Sequence, residues 1–296
     1  MFLFSGTSNI LLAKKIAKEL KIKLGKINIE KFSDGETYIN IEENVQGKNC
    51  YVLQSGSNPG NENLMEALII IDALKRLKPK KIIVVLPFYP YRRQERKVEK
   101  GESVTAELCA KLLKTAGVNK LIVLDLHSKK IEKYFSVSFN HLTAFPLFID
   151  YFKKKKLKNT RIIAPDEGAI NINKKLAKEL GFETGYIKKS RAGKHDIVEK
   201  MDLIGEVKDK NVIILDDEIN TGGTIMKAAT LLKKRRAKSI YFACTHGVLS
   251  GNAASKLQKS KIDEIIITDS IYLPNKQNFG KIKVLSVAKI LAKTIK

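Results

Sequence analysis

The stretch VIILDDEINTGGTI, residues 212–225, decides how the chain is read. Val212 to Leu215 form a short, wholly apolar run, as a strand buried on both faces of a parallel sheet requires. Asp216 and Asp217 follow where such a strand is expected to emerge, so that both carboxylates face one crevice. In Thr221-Gly222-Gly223-Thr224, the glycines reach backbone conformations closed to other residues, and the hydroxyls stand beside bare N–H groups. Ile225, Ala228, Ala229, Leu231 and Leu232 recur at helical spacing. This small anion cradle therefore sits at a helix N-terminus, where the dipole and unpaired donors favour phosphate. Acids beside a phosphate site suit a phosphorylated sugar. An ordinary βα turn needs neither the paired acids nor threonines on both sides of the glycines.

A chain of 296 residues suits two domains of about 150. With 44% hydrophobic and 29% charged residues it has the composition of a soluble globular protein. No apolar run approaches the roughly 18 residues that cross a bilayer. The N-terminal MFLFSGTSNILLAKK lacks the leading basic residues and small-residue cleavage pattern of a signal peptide, and is read as a strand and a helix of the mature fold. Cys50, Cys109 and Cys244 are odd in number and far apart, which indicates neither a disulfide framework nor a zinc site; a reducing cytoplasm fits best. The net charge of +24 raises the question of nucleic acid. Its lysines are spread through nearly every helix among acidic residues, however, and no element clusters base-reading side chains.

Outward from 212–225, apolar runs at 2–5, 26–30, 50–54, 81–87, 120–125, 161–165, 184–188, 201–206, 239–245, 264–268 and 282–285 are expected as strands, with a half-exposed strand at 37–43. Helical spacing occupies 10–20, 61–77, 103–116, 169–180, 225–235 and 287–295. This βαβ rhythm predicts mainly parallel sheets covered on both faces. Residues 88–101, aromatic and then densely charged, read as a long functional loop, and 129–158 as the junction between two α/β series.

Further chemistry collects in five segments. Phe32, Asp34, Gly35 and Glu36 lie between strands; Phe32 offers a face for stacking a base and the acids offer acceptors, although an Asp-Gly turn anchored by Phe32 explains the same residues. Arg92, Arg93 and Gln94 offer guanidinium forks for phosphate and an amide for a purine edge, or simply a solvated charge run. His127 and Asp166 each follow a strand, at the carboxyl edge where open α/β sheets bind ligands. His127 suits a metal or a phosphate, or a structural role; Asp166 suits Mg²⁺ between phosphate oxygens. Lys188-Lys189-Ser190-Arg191-Ala192-Gly193-Lys194 reads as a basic loop able to close over a polyphosphate, or as an exposed linker.

Type I phosphoribosyltransferases share the 212–225 loop. All five segments, in this order and over nearly the whole chain, resemble the ribose-phosphate diphosphokinases (PRPP synthases). That resemblance implies two similar type I phosphoribosyltransferase-like α/β domains, each a mainly parallel sheet flanked by helices. Residues 1–143 form the ATP-side domain, with a C-terminal helix at 286–296 packing back on it, and residues 144–285 bind ribose 5-phosphate. It further implies ATP binding by Phe32, Asp34, Gly35, Glu36, Arg93 and Gln94 across a subunit interface, so that the protein is at least a homodimer. Mg²⁺ is implied at His127 and Asp166, catalysis by Lys189 and Arg191, and ribose 5-phosphate binding by Arg191, Asp216, Asp217, Asn220, Thr221, Gly222, Gly223 and Thr224. The implied reaction moves a diphosphoryl group from MgATP to C1 of ribose 5-phosphate, giving PRPP and AMP. A non-catalytic regulatory subunit, or a PRPP-consuming phosphoribosyltransferase, are the alternatives.

The chain also departs from the family pattern. Asn220 stands where many members carry Asp, Asp166-Glu167-Gly168-Ala169 replaces a commoner Gly-Gly ending, and Lys129 and Lys133 replace the usual Gln and Gly. Arginines that hold regulatory phosphate or ADP in the allosteric class fall at Gln46 and Gly101, which argues against that regulation here.

Overall fold

The computed structural model describes residues 1–192, 197–275 and 279–296; for 190–192 and 197–200 it describes the backbone alone. Two compact units result, residues 1–143 with 269–272 and 286–296, and residues 144–268 with 273–285.

The first unit runs β1 (Phe2–Ser5), α1 (Ile10–Leu20), β2 (Ile27–Lys31), β3 (Thr37–Ile41), β4 (Asn49–Leu53), α2 (Gly60–Arg76), β5 (Lys81–Leu86), α3 (Thr105–Ala116), β6 (Lys120–Leu124) and β7 (Ser138–Leu142). The second runs α4 (Phe145–Lys155), β8 (Thr160–Ala164), α5 (Ile170–Leu180), β9 (Glu183–Ala192), β10 (Ile197–Ile204), β11 (Asn211–Ile219), α6 (Gly223–Lys234), β12 (Ser239–Gly247), α7 (Ala253–Gln258), β13 (Glu264–Thr268) and β14 (Ile282–Leu285). The closing helix α8 (Ala288–Ile295) belongs to the first unit.

In the first unit a parallel sheet has the order β1-β4-β5-β6-β7, and β2 and β3 make a separate antiparallel ribbon. The near-continuous apolar runs of β5 and β6 are buried, as a sheet covered on both faces demands. In the second unit the order is β10-β9-β8-β11-β12-β13-β14, parallel except for the β9–β10 pair. The α/β class with parallel sheets, expected from the βαβ rhythm, is the architecture observed. Helix geometry follows the apolar stripe: α1 buries Leu12, Ala13, Ile16, Ala17 and Leu20, and the Asn9 side chain caps it by accepting from Leu12 N.

Several details depart from expectation. The division between the two units falls at 143/144, within the segment 129–158 read as the junction, and that segment also contains a 3₁₀ turn at Lys129–Tyr134, strand β7 and helix α4, which the sequence reading did not place there. Strand β7 (SFNHL) escaped notice because it pairs with β6 alone and is only half-buried, so it carries no apolar run. Of the basic loop expected at 188–194, residues 188–192 instead continue β9, antiparallel to β10, with Lys189 opposite Met201 and Arg191 opposite Val198. Finally, the strand expected at 212–215 continues to Ile219.

Asp269 fastens the C-terminal segment within the first unit. One carboxylate oxygen accepts from Val287 N at 2.8 Å, the other from Lys15 Nζ at 2.8 Å, and the Asp269 carbonyl accepts from Asn9 Nδ2 at 2.8 Å. The backbone acceptance is the larger contribution, because Val287 is fully buried whereas the lysine is half-exposed. Asp269→Ala is therefore expected to cost about 2–3 kcal/mol in urea unfolding, through the stranded Val287 N–H. Lys15→Ala should cost no more than about 1 kcal/mol.

Candidate active site

The second unit's site begins with a mismatch in strand length. Strand β11 pairs with β8 only as far as Ile213, but with β12 as far as Ile219. Beyond Ile213 one edge of β11 would therefore expose its peptide groups. Asn173, on α5 and almost wholly buried, fills that gap. Its Oδ1 accepts from Leu215 N at 3.0 Å and its Nδ2 donates to Leu215 O at 2.7 Å, and to Ala169 O at 2.9 Å. A side-chain amide thus copies a neighbouring strand for one residue, immediately before the acids.

Asp216 and Asp217 consequently lie within the strand rather than past its end. Successive strand residues normally point to opposite faces. Here the two acids stay together, because Asp217 N donates to Asp216 Oδ1 at 2.9 Å and the two side chains are in hydrogen-bonding reach. Asp216 is half-buried as a residue, but its carboxyl is enclosed. That enclosure, then the charges of Asp217 and Asp166, push its pKa up to about 8. Asp166 follows β8; its Oδ1 accepts from Ala169 N at 3.2 Å and its Oδ2 pairs with Lys189 Nζ at 3.0 Å. Asp166, Lys189, Asp216 and Asp217 form one electrostatic group.

At the end of β11, Gly222 takes φ of +75° and precedes α6, with no side-chain cap. Two constraints select glycine there: the left-handed conformation, and a Cβ that would press on Leu257 at 3.2 Å. Gly223 faces open space, since a Cβ would meet only Thr221 Oγ1 at 3.9 Å. Met226 N makes the first return bond, to Gly222 O at 3.0 Å, so the N–H groups of Gly223, Thr224 and Ile225 are the orphan donors of the first turn. Asn220, just before the cradle, has a buried Oδ1 without a hydrogen-bond partner.

In the first unit, Phe32, Asp34, Gly35 and Glu36 occupy the exposed tip of the β2–β3 ribbon. Gly35 (φ +92°) closes the turn by donating to Phe32 O at 2.9 Å, and Glu36 N donates to Asp34 Oδ1 at 3.0 Å. Phe32 is 56% exposed and touches Tyr38 edge-on. Arg93 and Gln94 are exposed, and Gln94 Oε1 accepts from Thr105 Oγ1 at 2.6 Å. His127 is exposed two residues beyond Asp125 at the carboxyl end of β6.

The supports of that last turn were not recognised from sequence. Arg92 is buried, lies over the Phe88 ring at 4.8 Å and donates to Asp125 O at 3.1 Å. His141 Nε2 accepts from Leu126 N at 3.0 Å while its Nδ1 meets Glu132 Oε1 at 2.6 Å, which fixes the tautomer with the proton on Nδ1. Of these, only Arg92 had a sequence signal, and it pointed to phosphate. The side chain of Arg191, and residues 193–196 of the basic segment, lie outside the described residues. Gln46 and Gly101 are exposed.

Among the described residues, no three His, Cys, Asp or Glu side chains converge as a metal group. A divalent cation would therefore take one or two protein carboxylates and fill its remaining positions with water or phosphate oxygens, as Mg²⁺ commonly does. Asp166 fits such a role: its carboxylate already holds a cation, the Lys189 ammonium.

Two α/β units with parallel sheets, one carrying a glycine cradle at a helix N-terminus beside paired acids, define a phosphoribosyltransferase-like protein. Residues 1–117 match the model of the N-terminal domain of ribose phosphate pyrophosphokinase, and 191–296 that of the phosphoribosyl synthetase-associated domain. Ribose-phosphate pyrophosphokinases from Fusobacterium nucleatum and Bacillus caldolyticus are 46% and 45% identical to the chain, over 99% of it and 93% of each relative. The crystal structure of phosphoribosylpyrophosphate synthetase from Mycobacterium smegmatis superposes with a TM-score of 0.93 at 38% identity, covering 99% of this chain and 97% of that one. The chain belongs to the ribose-phosphate pyrophosphokinase family, whose members are diphosphotransferases.

Two measurements check the site's physics. Asn173→Leu leaves the Leu215 N–H and C=O without partners and is expected to cost about 2–4 kcal/mol in urea unfolding. The second is a pH effect. Unfolded, Asp216 titrates near 4; folded, it holds its proton up to about 8. Between these values the native state binds the extra proton, so stability of the substrate-free protein falls as pH rises through that window. Asp216→Asn removes this slope, and its gain in Tm over the parent should be larger at about pH 8.5 than at about pH 5.

Proposed function

We propose that the chain transfers the diphosphoryl group of MgATP to the C1 hydroxyl of ribose 5-phosphate. The C1 oxygen attacks the β-phosphorus, the bond from that phosphorus to the α,β-bridging oxygen breaks, and AMP leaves. The observation that carries this reading is the pairing of the Thr221–Thr224 cradle with Asp216 and Asp217 at the end of one strand. It provides an anion site and hydroxyl acceptors within one strand-to-helix segment. Asn220 and the cradle residues Thr221, Gly222, Gly223 and Thr224 receive the 5-phosphate, and the two acids orient the ribose hydroxyls.

The donor side is assigned to the first unit. Phe32 stacks on adenine, Asp34, Gly35 and Glu36 meet its amino and ribose groups, and Arg93 and Gln94 hold the polyphosphate and base. An exposed aromatic at a ribbon tip supports an ATP site completed by a second copy of the chain, hence a homo-oligomer of at least two. Asp166, and His127 of the first unit, are assigned to Mg²⁺, which when bound compensates the charge of the ATP phosphates. Lys189 and Arg191 stabilise the transferring group; the chain's own contribution is chiefly positioning and charge compensation. A cytoplasmic location is supported by three free, buried cysteines.

Incubation with MgATP and ribose 5-phosphate should yield AMP and PRPP in equal amounts; ADP as product, or no turnover by folded protein, would overturn the assignment. Lys189→Ala should lower kcat by about 10²–10³ while leaving the far-UV spectrum like that of the parent.

A further inference from the structure

Lys189 lies on β9 on the same face as the buried Ile187, whereas Lys188, on the opposite face, is exposed. Its side chain is only 6% exposed, against 37% for Asp166. An ammonium enclosed to that degree needs a partner, and the one it has is the Asp166 carboxylate at 3.0 Å. That carboxylate is itself anchored through its other oxygen to Ala169 N. Around it Asp216 and Asp217 add negative charge, and Asp216 responds to Asp166 directly. Three acids and one ammonium thus share a locally anionic crevice, and the amine assigned to transition-state stabilisation is held there by Asp166.

We propose that this ion pair is an exchange site: Lys189 occupies Asp166 as an internal cation until a divalent metal ion takes the carboxylate, and only then is the ammonium released to the transferring phosphate. Two positive centres cannot share Asp166 Oδ2 without mutual repulsion, so occupancy by one disfavours the other. By linkage the effect is reciprocal: whatever removes Lys189 from Asp166 must tighten cation binding. The arrangement would keep the amine away from ATP phosphates until the metal is in place. It rests on the assignment of Asp166 to the metal.

The test uses the full chain and Mn²⁺ alone, with free Mn²⁺ counted by electron paramagnetic resonance and lysine accessibility read by amine acylation and mass spectrometry. In metal-free protein Lys189 should acylate severalfold more slowly than Lys188, and saturating Mn²⁺ should largely abolish that protection. Lys189→Gln should bind Mn²⁺ severalfold more tightly than the parent. Lys188→Gln removes the same charge one residue away and should bind like the parent, which separates exchange from general electrostatics. If Asp166→Asn binds Mn²⁺ as well as the parent, the metal assignment falls and the exchange with it. If Asp166→Asn loses Mn²⁺ but Lys189 stays protected in the Mn²⁺-saturated parent, or Lys189→Gln binds no more tightly, the exchange is refuted while the assignment stands. The acylation arm needs no variant, so a misfolded substitution cannot leave the question open.

Discussion

The site of the second unit depends on β11 outrunning β8. A strand paired on both sides commits its peptide groups to the sheet, and its side chains to the packing above and below. Strand β11 loses its β8 partner after Ile213 yet keeps β12 to Ile219, so six further residues are extended but open along one edge. That edge is where carboxylates can gather. It is tolerable only because Asn173 satisfies both polar groups of Leu215, which would otherwise be orphaned beside a fully buried segment. Asp216, Asp217 and the cradle at 221–224 all inherit their positions from that clamp.

Electrostatics then determine what the edge can do. Acids brought together in a half-enclosed space repel one another, and Asp216 answers by holding its proton well into the neutral range. Such a group is stored instability, relieved by any ligand that brings hydroxyl donors or positive charge. A few residues further on the polarity reverses, because the first turn of α6 presents N–H donors and a dipole that favours an anion. A molecule with hydroxyls at one end and a phosphate at the other matches this reversal, whereas a simple anion or a simple cation would satisfy only half of it.

How much of this was legible in the sequence varied with the range of the interaction. Local patterns carried well: the apolar run at 212–215, the glycines of the cradle and the helix behind them are short-range features, and the parallel α/β class follows from their repetition. The extension of β11 was hidden because Asp-Asp-Glu contradicts strand propensity and is overridden by pairing with β12. The β9–β10 pair was hidden because lysines and small residues resemble a loop when their partner strand is unknown. Asn173 gave no signal at all. A polar residue on a helix is ordinary, and its value lies in a contact 42 positions away. His141 and Glu132 escaped for the same reason, whereas Arg92 was noticed but read as a phosphate contact rather than as a support for the turn at Asp125.

The two units use different means to hold a turn at the carboxyl edge of a parallel sheet. In the second, Gly222 takes a positive φ at little steric cost, and the space a side chain would need is already held by Leu257. In the first, Asp125 takes φ of +37° without being glycine, which costs on the order of 1 kcal/mol or more and persists only where the surroundings over-determine it. They do so from three directions: Asp125 N donates to Leu142 O at 2.9 Å, Asp125 O accepts from the buried Arg92, and Leu126 N donates to His141. The glycine turn leaves backbone donors free for a ligand. The aspartate turn consumes its backbone groups in its own support and offers side chains instead, so the carboxyl edge presents N–H donors in the second unit and the exposed His127 in the first.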